Sequence, residues 1–257
     1  MKLNIFYDTG KLFLTFMESL GSVCLFALTA LLHCIKPPFF PKLIIRQMID
    51  IGYYSLPVVG LTAIFSGMVL ALQSYTGFSR FNAESAIANI VVLSITRELG
   101  PVLAGLMVAG RVGASMAAEI GTMRVTEQID ALEVMGVNPL NYLVFPKAVA
   151  MLLYPFIISI SMFVGVLGGL IACVFGGYSS VDDFVAGVQM DFIPFHMAYS
   201  FIKTFIFAFI LATIPSFHGY YMRGGALEVG KASTTSFVWT SVSIILINFI
   251  LTQMLLS

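Results

Sequence analysis

Residues 86–110 read AIANIVVLSITRELGPVLAGLMVAG, and the placement of this stretch decides the fold. A helix needs about 20 residues to cross roughly 30 Å of hydrocarbon, and the stretch is long enough. Arg97 and Glu98 nevertheless lie inside it, and Pro101 follows at once. A charge at membrane depth costs roughly 2.5–3.5 kcal/mol on insertion scales, so these side chains must be paired or must face a polar cavity. Proline has no N–H, which leaves the carbonyl four residues earlier, that of Arg97, without its helical donor. Irregular backbone at membrane depth survives only against protein or a wet cavity. Helix distortion and charge therefore coincide.

The rest of the chain supports a membrane setting. Only 10% of the 257 residues are charged and 59% are apolar, against about 25% charged in an ordinary soluble domain. Thirteen basic and thirteen acidic side chains are too few to clothe a soluble enzyme. They are also too few for a disordered chain, and the zero net charge lacks the basic excess of a nucleic-acid binder. Cys24, Cys34 and Cys173 lie in apolar runs without disulfide or metal-ligand spacing. The first apolar run is too long for a signal-peptide core and ends without a small-residue cleavage site.

Six apolar stretches stand out, at 12–35, 51–78, 86–110, 148–176, 195–217 and 236–256. Length alone allows six crossings, and charge placement argues for five. Lys36, Lys42 and Arg46 lie between stretches one and two. Arg111, Arg124 and Lys147 lie between three and four, and Arg223 and Lys231 between five and six. The other connections hold Arg80, then Asp182, Asp183 and Asp191. If stretch one does not cross, Lys2 and Lys11 join the basic side, which the positive-inside rule places in the cytoplasm. Asp8, Lys11, Thr15, Glu18, Ser22, Thr29 and His33 also form a polar stripe along that stretch, suited to a helix lying in the interface. The expected fold is an all-α polytopic membrane protein, one permease domain over 1–257. It has an interfacial helix at 1–36 and spans at 48–78, 85–115, 143–177, 194–218 and 233–256. The N-terminus is then cytoplasmic and the C-terminus lies on the far side.

Lys203 lies inside stretch five, nine residues after Pro194, or about 14 Å along a helix. Arg97, Glu98 and Lys203 have two readings. They form a buried pair tying helices together, or they line a substrate cavity suited to an amphiphile with an anionic head. Gly105, Ala109, Gly113 and Ala117, and then Gly165, Gly169, Cys173 and Gly177, recur every four residues. Such ridges let helix backbones approach closely, within one chain or across a dimer seam. Residues 119–136, EIGTMRVTEQIDALEVMG, gather Glu119, Arg124, Glu127, Asp130 and Glu133 on a stretch with an apolar face. An amphipathic helix there, capped by Thr126, serves as a connector or docks a cytoplasmic partner.

Gly225 to Lys231 imitates a phosphate-binding loop but fails at Ala232, where a hydroxyl should hold Mg²⁺, and has no strand–loop–helix context. No HExxH is present. No histidine has aspartate five residues on, since Pro38, Phe201 and Arg223 stand after His33, His196 and His218. No metal site and no catalytic residue is read.

The run Arg97–Pro139, RELGPVLAGLMVAGRVGASMAAEIGTMRVTEQIDALEVMGVNP, closely resembles the signature region of the MlaE (YrbE) permeases. These are membrane subunits of lipid ABC transporters that work with MCE-domain proteins. GGALEVGKASTTSFV (224–238) is similar to the family's second characteristic stretch. The resemblance implies an interfacial helix plus five spans, a homodimer, and a bacterial inner-membrane location. It implies a cytoplasmic ABC ATPase that binds ATP and Mg²⁺, often a STAS-domain subunit, and a periplasmic MCE-domain ring. This chain then holds no cofactor and is no enzyme. The implied substrate is phospholipid moved between inner and outer membranes to keep outer-membrane asymmetry. By position, 119–136 is the coupling helix, with Arg124, Glu127, Asp130, Glu133, Met135 and Gly136 toward the ATPase. Arg97, Glu98, Leu99 and Lys203 fall at the lipid cavity, and Leu70, Gln73, Phe78 and Phe81 line the route to the MCE ring. An ion-coupled carrier using Glu98 and Lys203 as a proton relay, or a passive anchor for a periplasmic assembly, are the competing readings of the residues alone.

Overall fold

The computed structural model describes residues 40–79, 86–190 and 193–256, the segment 21–29, and positions 10, 11, 14, 17 and 18. The interfacial helix expected at 1–36 therefore lies largely outside the described residues. Its described part at 21–29 is helical, with Phe26 buried among the rings of Phe217, Tyr220 and Tyr221.

Five helical stretches among the described residues are long and apolar enough to cross a bilayer. The first joins α1 (Pro41–Ile51) through a 3₁₀ turn to α2 (Leu56–Phe78). The second comprises α3 (Ala86–Ser94), α4 (Gly100–Val108) and α5 (Ala114–Val125), separated by π-turns at Ile95–Leu99 and Ala109–Gly113. After α6 (Gln128–Val134), the third runs from a π-turn at Leu140–Val144 through α7 (Phe145–Met151) and α8 (Tyr154–Phe175). The connection α9 (Val181–Met190) leads to α10 (Pro194–Tyr220), and α11 (Ala226–Leu256) closes the chain. The helices outrun the expected spans at several ends, because polar flanks such as 41–47 and 226–232 are helical too.

Close backbone approach organises the bundle. A Cβ on Gly67 of α2 would fall on the carbonyl of Gly165 in α8, and one on Gly168 would fall on that of Ile64. Gly105 faces the Tyr154 hydroxyl and Ile244, Gly113 faces Pro215, and Ala109 and Ala117 are fully buried. The two small-residue ridges thus serve packing within the chain. In lipid, where apolar side chains gain little by leaving the solvent, such contact is what holds helices together. The far-end connection is tied down by a stack of Tyr75 on Tyr178, ring centres 3.9 Å apart. The Ser180 hydroxyl there accepts from the Asp183 amide at 3.1 Å, capping α9.

The segment 119–136, expected as one helix, is divided. Helix α5 carries straight on to Val125, the chain turns at Glu127 with φ 58°, and α6 spans only Gln128–Val134. Thr126 does not cap α6, since its hydroxyl donates back to the Thr122 carbonyl at 2.9 Å. Ile120, Ile129 and Leu143 form a small buried cluster that clamps α6 under the bundle. The imitation phosphate loop forms the first turns of α11, with Lys231 paired to Glu228 at 2.6 Å.

Gly67→Val, which drives a side chain into the α8 backbone, should lower the unfolding temperature of the purified protein measurably, overpacking costing about 1–3 kcal/mol. Gly60→Ala, with open space around its Cβ, should leave the melting curve in place. Equal curves for the two variants would remove the α2–α8 contact from its organising role.

Candidate functional site

Pro101 shapes the centre of the second span. Because it has no N–H, the Arg97 carbonyl lacks its helical donor. The π-turn displaces a second bond, since the Gly100 amide donates to Ile95 instead of Thr96. Two carbonyls are thereby released toward α10, and α10 supplies donors at consecutive turn positions. The Ser200 hydroxyl donates to the Thr96 carbonyl, and Lys203 Nζ donates to that of Arg97 at 3.2 Å. Polar side chains of a neighbouring helix repair the backbone where a spanning helix meets proline.

Lys203 then binds Glu98, 2.9 Å from each carboxylate oxygen. Its three N–H bonds are used, its ammonium lies 4.4 Å from the centre of the Tyr199 ring, and its side chain is fully buried. The Glu98 carboxylate also accepts from the Tyr199 hydroxyl at 2.9 Å, from Asn248 Nδ2 at 3.1 Å and from the Thr252 hydroxyl at 3.3 Å. Three spans meet at one carboxylate. The Glu98 side chain remains 37% exposed, so the knot has one open face.

Arg97 and Glu98, neighbours in sequence, part company here. Among the described residues the Arg97 guanidinium makes no ion pair and no hydrogen bond, and it is half-buried. Leu99 turns instead toward α2, where it lines a small cleft with Thr62 and Ser66. Leu70, half-buried, packs on the core of the bundle, Gln73 is exposed, and Phe78 ends α2. None of them contributes to the hydrogen-bond knot. Phe81 lies outside the described residues.

Tyr199, Ser200, Asn248 and Thr252 escaped the sequence reading. The signal for the first two was present: they sit one turn before Lys203, on its helix face. Asn248 and Thr252, four apart in an otherwise apolar run, carried the same hint.

At the other end of the bundle, Arg124 pairs with Asp130 at 2.7 Å across the α5–α6 turn. Glu127 and Glu133 are exposed, as are Met135 and Gly136. Val134, which the sequence reading passed over, is 90% exposed, beside Met135 at 67%.

The family model described as Permease MlaE matches residues 44–254. The chain belongs to the MlaE permease family. It is 48% identical over 255 residues to a probable ABC transporter permease protein of Rickettsia felis, covering 99% of this chain and 98% of that one. It is 33% identical over 260 residues to the intermembrane phospholipid transport system permease protein MlaE of Haemophilus influenzae, with 99% and 98% covered. It is also 31% identical over 242 residues to the chloroplastic protein TRIGALACTOSYLDIACYLGLYCEROL 1 of Arabidopsis thaliana, covering 90% of this chain and 67% of that one. The chain is thus an ABC transporter permease, and the Glu98 knot sits within the matched MlaE region.

The ion pair makes a double-mutant prediction. Glu98→Gln leaves the fully buried Lys203 charge alone and should destabilise strongly, by about 3–5 kcal/mol, whereas Lys203→Met leaves a partly exposed carboxylate that keeps three other donors and should cost less. Glu98→Gln combined with Lys203→Met should cost less than the two changes summed. Thermal unfolding of the four proteins in detergent measures this, and strict additivity would mean that the pair is not coupled.

Proposed function

We propose that this MlaE-family chain is the inner-membrane permease subunit of an ATP-driven transporter carrying phospholipid between inner and outer membranes, in the service of outer-membrane lipid asymmetry. The observation that carries this reading is the Arg97 guanidinium, unpaired among the described residues, beside the Glu98–Lys203 knot at membrane depth. An uncompensated cation there is costly, and a lipid phosphate is the partner that offsets it. Arg97 then contacts the headgroup. Lys203, with no donor to spare, and Glu98 position the backbone from which Arg97 projects.

A second copy covers the long uncovered face of α11, where Val242, Ile245, Leu246 and Phe249 are all exposed, and the two protomers enclose the acyl chains. The cytoplasmic ABC ATPase, which binds ATP and Mg²⁺, docks on α6 and its Val134–Met135 tip. A STAS-domain subunit accompanies the ATPase, and a periplasmic MCE-domain ring sits at the opposite end, beyond Gln73 and Phe78. The basic end, with the N-terminus, faces the cytoplasm, and the C-terminus is periplasmic. Nucleotide-driven movement of the ATPase shifts α6, and the continuous helix above it transmits the shift to the cavity.

Arg97→Gln should leave the unfolding temperature near the parent value. ATP-dependent transfer of labelled phospholipid by the reconstituted complex should fall about tenfold, the weight of one charge-assisted hydrogen bond. Undiminished transfer would exclude Arg97 from the headgroup contact. Val134→Glu together with Met135→Glu should reduce co-purification of the ATPase while the permease still folds. Full recovery of the ATPase with that variant would place the docking surface elsewhere. Asp130→Lys is a poorer probe, since it also breaks the pair with Arg124.

A further inference from the structure

A cavity with a charged lining lies not at Glu98 but at the end of the bundle that carries α6. It has a volume of about 660 Å³ and opens between α1, the lower part of the second span and the start of the third. Its charged lining comprises Arg46, Asp50, Arg111, Glu119 and Lys147. Arg111, Ser115 and Glu119 descend one face of the second span at four-residue intervals, and Arg46 and Asp50 do the same on α1. Arg111 lies 14 residues from Arg97, so the two sites are about 20 Å apart along the helix.

The charges do not cancel inside this cavity. Lys147, 2% exposed, is neutralised by Glu119 and also donates to Gln47 Oε1 at 3.3 Å. Among the described residues Arg111 has only the neutral Ser55 hydroxyl. Arg46 is exposed and has no hydrogen bond or ion pair among the described residues. Among the described residues, two arginines therefore line this pocket with a single unpaired carboxylate, Asp50. Planar guanidinium forks match phosphate oxygens, and two arginines lining one cavity are stabilised by an anion bound there. On α1 and the 3₁₀ turn that follows it, Ile45 is 58%, Ile49 47% and Tyr53 68% exposed. A polar pocket next to an apolar helix face suits a headgroup and its acyl chains together.

We infer that this cavity is a second binding site, for a phosphate group held between Arg46 and Arg111, and that a membrane phospholipid presents it. The site is separate from the Glu98 knot and does not depend on the transport reading. Lys147 and Glu119 build its floor, and Arg46 is its free ligand.

The test is site-specific thiol labelling of the full-length protein. Ser115→Cys places one thiol in the cavity, on a background of Cys24→Ser, Cys34→Ser and Cys173→Ala. Maleimide labelling in dodecylmaltoside is timed with added dioleoylphosphatidate, with dioleoylglycerol, which has the same chains and no phosphate, and with inorganic phosphate. Phosphatidate should slow labelling about tenfold relative to dioleoylglycerol, and Arg46→Gln should remove most of that protection. Arg46→Lys should keep part of it. Protection by phosphatidate alone assigns the phosphate to lipid. Equal protection by inorganic phosphate keeps the phosphate site and overturns its assignment to lipid. Equal labelling with phosphatidate and dioleoylglycerol in the absence of any phosphate effect, or full protection surviving Arg46→Gln, overturns the site.

Discussion

Lys203 has nowhere else to put its charge. It is fully buried in a bundle whose surroundings are hydrocarbon, and its ammonium finds the two oxygens of Glu98 and the carbonyl of Arg97. A lone charge in that setting would be among the costliest features a small membrane protein can carry. The pair fixes α10 against the second span, and Asn248 and Thr252 bring α11 to the same carboxylate. Three of the five spans thus owe their register to one acidic side chain. The glycine contacts between α2 and α8 supply the remaining close packing.

The backbone takes part in this arrangement. Pro101 frees a carbonyl, the adjoining π-turn frees another, and α10 carries Ser200 and Lys203 at the spacing needed to meet both. The same economy divides the work between neighbouring residues. Glu98 accepts from Lys203, Tyr199, Asn248 and Thr252, whereas Arg97, one position earlier on a turn wider than an α-helix, has no ion pair or hydrogen bond among the described residues. The polar cavity at the end that carries α6 repeats the pattern, with a Lys147–Glu119 pair and an Arg46 that is unpaired among the described residues.

Much of this was legible in the residues. The low charge content and the six apolar runs pointed to a bundle of membrane helices, and the placement of the basic residues reduced six possible spans to five. The proline rule marked the Arg97 carbonyl as needing a donor, and the cost of intramembrane charge required a partner for Glu98. What the residues could not disclose was which donor came, because Lys203 lies 105 positions from Glu98 and only helix packing sets that distance. The small-residue ridges were equally ambiguous, since close approach within a chain and between chains asks for the same residues. The segment 119–136 was read as one helix because its apolar periodicity runs across the break. The left-handed backbone at Glu127 carries no sequence mark of the kind a glycine would give.

Composition and periodicity determined that this chain is a bundle of membrane helices, where its charges are scarce, and which of them must be compensated. Those conclusions follow from local quantities: helix rise, the energy of a charge in hydrocarbon, and the missing N–H of proline. The tertiary structure alone decided the partners. It joined Glu98 to Lys203, Tyr199, Asn248 and Thr252, left Arg97 open, and gathered Arg46, Arg111 and Lys147 around one cavity. Pairing across helices depends on their relative rotation and height. These are fixed by the packing of the whole bundle and by no short stretch of its sequence.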